Sequence, residues 1–116
     1  MSRLLVAIGS QDGEALTGLL ADEVVFHSPV QTYRGREQVI RLLVTIGGVI
    51  DHVDVTRELD GVTFFTAQVE EHPVDGVIVD DGGDAGEIGE ITLMLRPLAQ
   101  LQAAVARMAR ALAAPG

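Results

Sequence analysis

A chain of 116 residues, 47% hydrophobic but only 3% aromatic, is long enough to close one core of aliphatic side chains and too short to divide into two. Seventeen acidic residues against eight basic ones give a formal charge of -9, a field that repels phosphate backbones and anionic head groups and argues against nucleic-acid partners. The absence of cysteine excludes disulfides, thiolate metal sites and cysteine nucleophiles, and no apolar run is long enough for a bilayer span or a signal segment, so one cytoplasmic domain over residues 1–116 is expected.

Leu4, Leu5 and Ile8 recur at helical spacing and predict a first helix, which Gly9 to Gly13 break with Asp12 placed to cap the next. Glu14 to Ala21, with Leu16, Leu19 and Leu20 on one stripe, predicts a second helix running into the strand-forming Val24-Val25-Phe26. Pro29 ends that strand, and a loop carries Tyr33, Arg34 and Gly35. Val39, Ile40, Leu43, Val44 and Ile46 then predict a buried third helix that stops at Gly47-Gly48.

Beyond Ile50 the period changes to two, predicting an antiparallel meander over His52 to Leu59, Val62 to Glu70, Val74 to Val79 and Ile88 to Arg96. Asp60-Gly61, Glu71-His72-Pro73 and the segment Asp80 to Gly86 supply its turns. Pro97 opens a final helix whose Leu98, Leu101, Val105, Met108 and Leu112 make one apolar stripe.

The order helix, helix, strand, helix, meander resembles the nuclear transport factor 2-like superfamily. The stretch Leu19-Leu20-Ala21-Asp22-Glu23-Val24-Val25-Phe26-His27-Ser28-Pro29, followed by Tyr33-Arg34-Gly35-Arg36-Glu37, is similar to the first strand of its SnoaL-like and ketosteroid isomerase-like branch. Gly89-Glu90-Ile91-Thr92-Leu93-Met94-Leu95-Arg96-Pro97 resembles the last strand of many members. The resemblance implies an α+β fold: a strongly curved antiparallel sheet wrapped on three N-terminal helices, here with a C-terminal helix, around an apolar pocket. It also implies a homodimer through the outer sheet face, where Phe64 or Phe65, Leu93 and Met94 cannot all serve one core.

The isomerase pattern carries over only in part. Its general base falls at Ser28, before Pro29-Val30, and a neutral hydroxyl is no base unaided. Its oxyanion-binding tyrosine falls at Leu4, and only its second oxyanion donor has a counterpart, at Asp75. The epoxide hydrolase pair of arginine and aspartate is incomplete, since Leu59 stands two residues after Arg57.

Asp75 shares a strand face with Val77 and Val79. If that face lines the pocket, as the resemblance implies, desolvation favours a neutral carboxyl able to donate to a ligand oxygen, as in ketosteroid isomerase; otherwise Asp75 is a solvated carboxylate at a strand start. Arg57 lies in step with Val53, Val55 and Leu59, either meeting a carboxylate or ligand or reaching solvent over its packed stem. Ser28 and Phe26 share one parity toward the pocket; His27 faces elsewhere, and His72 sits in a turn. Tyr33, the only tyrosine, stands at the expected mouth, either holding a polar group of a ligand or packing.

Asp80, Asp81, Asp84 and Glu87 lack the alternation of a calcium loop and read as a solvated turn, so neither a metal nor a cofactor is expected. Two functions remain open: acid-base isomerase, cyclase or dehydratase chemistry on a small, mainly apolar ligand through Asp75 and Ser28, with Tyr33, Arg57, Phe26, Val77 and Val79 around it; or a non-catalytic dimerising or ligand-sequestering module.

Overall fold

A computed structural model describes residues 2–82 and 87–113. Among them the order is α1 (Arg3–Gly9), α2 (Gly13–Leu19), β1 (Leu20–His27), β2 (Thr32–Arg34), α3 (Arg36–Val49), β3 (Asp51–Leu59), β4 (Val62–Val69), β5 (His72–Asp80), β6 (Ile88–Arg96) and α4 (Leu98–Ala113). This is the α+β architecture expected, a curved, open six-stranded sheet with helices on one face. Side-chain oxygens start the first two helices: Ser2 accepts from the Leu5 amide and Asp12 from that of Ala15, each at 3.1 Å.

Strand order is β2-β1-β6-β5-β4-β3. The meander β3 to β6 is antiparallel, as the alternation predicts, while β1 enters the sheet parallel to β6. The expected loop around Tyr33 is instead β2, which pairs Tyr33 with Phe26 and Thr32 with His27. A three-residue edge strand is too short to show a period.

Two further expectations are corrected. The third helix continues through Gly47 and Gly48 to Val49, because these glycines form a notch for α1: a Cβ at Gly47 would collide with the Ile8 carbonyl oxygen. The β4–β5 turn lies at Glu70-Glu71, both with positive φ (51° and 69°), so His72 and Pro73 fall within β5. Of the expected acidic turn, Asp84 lies outside the described residues. The turn's flank is ordered by Asp81, whose Oδ1 accepts from the Gly89 and Glu90 amides at 2.8 and 2.9 Å.

Pairing registers sort the sheet's two faces, since residues directly opposite point the same way. Toward the helices run Tyr33–Phe26–Ile91, Thr63–Ile78–Leu93 and Val55–Phe65–Gly76–Leu95. With Leu4, Leu5, Ile8, Leu16, Val39 and Leu43 they make the aliphatic core. The outer face carries Arg57–Phe64–Val77–Met94, Asp54–Thr66–Asp75–Arg96 and Leu59–Val62–Val79–Thr92–His27.

Candidate ligand site

Between the sheet and the last helix lies a cavity of about 260 Å³. Phe26, Leu93 and Leu95 form its sheet wall, Leu42, Ile46 and Val49 its α3 wall, and Leu101, Ala104, Val105, Met108 and Leu112 its α4 wall. The mouth is edged by Pro29 and by Val30, which is 61% exposed. The hollow exists because α4 approaches with a stripe that packs incompletely: of its sixteen residues only Ala104 is buried.

Two lining residues carry hydroxyls. Ser28 spends its own on the β1–β2 turn, donating to the Gln31 carbonyl at 2.8 Å and accepting from the Gln31 and Val30 amides at 3.0 and 3.2 Å. The turn is held by those bonds, so this oxygen is committed to structure. Tyr33 stacks on Phe26 with ring centroids 6.3 Å apart, and no described residue makes a hydrogen bond to its hydroxyl. Ligand oxygens therefore have Tyr33 as the available polar partner on the described wall.

Four of the expected site residues are not on this wall, three of them on β5. On β5 the inward residues are Val74, Gly76 and Ile78, so Asp75, Val77 and Val79 face outward. Asp75 leaves 60% of its side chain exposed and pairs at 3.7 Å with Arg96, itself 78% exposed. The resemblance pointed the strand the wrong way. The direction is fixed at Gly76, over which the core-facing Phe65 ring of β4 lies so closely that a Cβ would overlap it.

Arg57 is corrected for another reason. The ladder shifts between Val55 and Arg57, and this bulge at Thr56 throws Arg57 to the outer face opposite Phe64, while Val55 remains opposite Phe65. A bulge adds one residue to one strand and reverses its parity thereafter. Of the expected residues, the structure brings together Phe26, Ser28 and Tyr33 at the cavity and leaves Asp75, Arg57, Val77 and Val79 on the opposite side of the sheet.

His27 also faces outward, with Nδ1 3.0 Å from Thr32 Oγ1 and Nε2 2.7 Å from Glu90 Oε2. One neutral tautomer satisfies both contacts: Nε2–H donates to Glu90 while Nδ1 accepts from the Thr32 hydroxyl. These bonds tie β1 to both its neighbours. His72 Nδ1 lies 2.9 Å from the Glu70 carbonyl oxygen within its own turn. Among the described residues no group of three or more acidic or histidine side chains is placed to hold a metal ion, and no helix is long and apolar enough to cross a membrane.

The α4 wall was visible in the sequence as an apolar stripe but not as a ligand surface, because a stripe reads the same whether it meets a core or a hollow. Nor did periodicity reveal that Leu42, Ile46 and Val49 of α3 face that hollow.

No family model and no curated protein sequence matches the chain. Solved structures do match. A steroid delta-isomerase from Pseudomonas aeruginosa aligns over 97% of this chain and 93% of its own, with a TM-score of 0.84 and 28% identity. A protein with a cystatin-like fold from Silicibacter pomeroyi aligns over 96% of this chain and 84% of its own, at 0.83 and 24%. A nuclear transport factor 2-like protein of unknown function from Burkholderia xenovorans aligns over 85% of each, at 0.66 and 17%.

Proposed function

We propose that this chain, whose fold is that of nuclear transport factor 2-like proteins, binds a small, mainly apolar molecule carrying a carbonyl or hydroxyl oxygen in the cavity beneath α4. The observation that carries this reading is the pairing of an aliphatic hollow with one available hydroxyl, that of Tyr33. Burying apolar ligand surface supplies affinity, at roughly 25 cal/mol per Å², and a single convergent polar group supplies orientation.

The likeness to a steroid delta-isomerase raises acid-base turnover as a use for the site. The wall gives that chemistry little support. Asp75 and His27 are across the sheet, Ser28 is committed to its turn, and all eight basic residues of the chain are arginines, which leaves no lysine for a Schiff base. Binding or sequestration without turnover is the reading these placements favour.

The outer face fits a second copy of the chain. Phe64, Met94 and Leu59 are 36%, 56% and 51% exposed there, in neighbouring rows with Val62, Val77 and Val79. Contiguous exposed apolar side chains mark an interaction surface.

A direct test uses the chain's own fluorophore. There is no tryptophan and one tyrosine, and that tyrosine lines the cavity, so occupancy is expected to change tyrosine emission saturably. Titration with decanol, menthone and a neutral steroid, none of them altering emission or releasing heat up to its solubility limit, would overturn the proposal.

A further inference from the structure

The size and neutrality of the cavity narrow the class of ligand. Resting on the reading that the hollow beneath α4 is a binding site, we infer that it takes a compact, uncharged alcohol or ketone of about ten non-hydrogen atoms, one ring or a short chain, rather than a four-ring steroid or any carboxylate.

Size comes first. The cavity holds about 260 Å³. It falls just under the range of about 300–1,000 Å³ typical of sites for drug-sized ligands. The buried part of the wall has little room to retreat. Phe26, Leu42, Leu93 and Ala104 are at most 7% exposed, so each already packs against the body of the protein, and close-packed interiors resist displacement. A neighbouring void against Ile46, Ile50, Leu93 and Leu95 measures about 10 Å³, too small to lengthen the site by more than one water-sized group. A fused four-ring skeleton is therefore expected to fit this space less well than a one-ring ligand, even though the steroid delta-isomerase shares this fold.

Charge narrows the class again. No described lining residue is ionic. Arg41 and Arg107, on the two helices that flank the hollow, are directed to backbone: Arg107 Nη1 donates to the Val49 carbonyl at 3.3 Å and Arg41 Nη2 to that of Leu112 at 3.4 Å. A carboxylate entering here would lose its hydration without gaining a counter-charge. A hydroxyl or carbonyl loses much less and regains one hydrogen bond from Tyr33, whose hydroxyl both donates and accepts.

Four probes separate the possibilities by calorimetry and tyrosine emission at neutral pH: menthone, decanol, decanoate and testosterone. Menthone and decanol are expected to saturate one site per chain. Decanoate, which differs from decanol only in its charged head, is expected to bind more weakly by on the order of a hundredfold, and testosterone not to saturate. Testosterone binding as tightly as menthone would overturn the size limit, and decanoate within tenfold of decanol would overturn the neutrality, both leaving the binding reading intact. If none of the four binds, that reading itself falls.

Discussion

The Tyr33 hydroxyl meets no protein partner among the described residues, so removing it costs the fold little and a ligand one hydrogen bond. Such a bond contributes about 1 kcal/mol net. Tyr33→Phe is therefore expected to weaken decanol binding roughly fivefold by calorimetry, with an unchanged melting temperature; unchanged affinity would show that the ligand oxygen lies elsewhere. Asp75 gives the opposite expectation. Its exposed pair with Arg96 is worth at most about 1 kcal/mol, so Asp75→Asn should alter neither ligand affinity nor stability beyond that margin. A strong loss of affinity in Asp75→Asn would return this residue to the site. The direction of Asp75 was not legible in the sequence, because it follows from Gly76 lying opposite the core-facing Phe65, a pairing that only the register of β4 and β5 reveals. Gly76→Ala should destabilise the protein by about 2–3 kcal/mol in urea unfolding, since the added carbon overlaps the ring.

Helices and strands were read well where their period was long and less well where one residue altered it. The alternation from β3 to β6 was plain, and so was the stripe of α4. The bulge at Thr56 was hidden, because an inserted residue changes no composition and only pairing reveals it. Two adjacent glycines in α3 suggested a stop, yet they continue the helix past α1. Substitution should tell them apart. An alanine in a helix interior ordinarily gains about 1 kcal/mol over glycine, but at Gly47 its Cβ meets the backbone oxygen of Ile8, so Gly47→Ala should instead lower the unfolding midpoint. At Gly48 the nearest atom is the Gln11 side-chain nitrogen at 2.9 Å, which can swing aside, making Gly48→Ala the milder change. The Glu70-Glu71 turn offers a gain. Both residues hold a left-handed backbone that costs non-glycine residues roughly 1–2 kcal/mol each, whereas Asn-Gly suits that turn. The double change Glu70→Asn, Glu71→Gly is expected to stabilise by about 1–2 kcal/mol, and a lower midpoint would contradict the strain.

At the scale of the molecule, the sheet divides two apolar surfaces by depth. Its inner face, with Phe65 and Leu93 at 2% and 4% exposure, closes the core, while Phe64 and Met94 remain on the outer face. This resolves the surplus of apolar residues that the sequence already displayed, and it supports association of two copies. Phe64→Glu combined with Met94→Glu is expected to give a monomer by light scattering where the parent chain gives a dimer; a monomeric parent would remove the interface. The fold and its curved, open sheet were thus readable from element order, and part of the cavity wall, Phe26, Ser28 and Tyr33, from the first strand and the segment after it. The remainder was not, because the hollow arises where α4 spans α3 and the sheet, a relation between distant segments that no local pattern encodes. Ala104 sits at that junction, 5% exposed and on the cavity wall, so a larger side chain there fills the hollow from within. Calorimetric titration of decanol into the parent chain and into Ala104→Phe, with the variant's fold checked by circular dichroism, is the most direct measurement. Saturable binding by the parent and none by a folded Ala104→Phe is the expected result, and equal binding by both would place the ligand somewhere other than beneath α4.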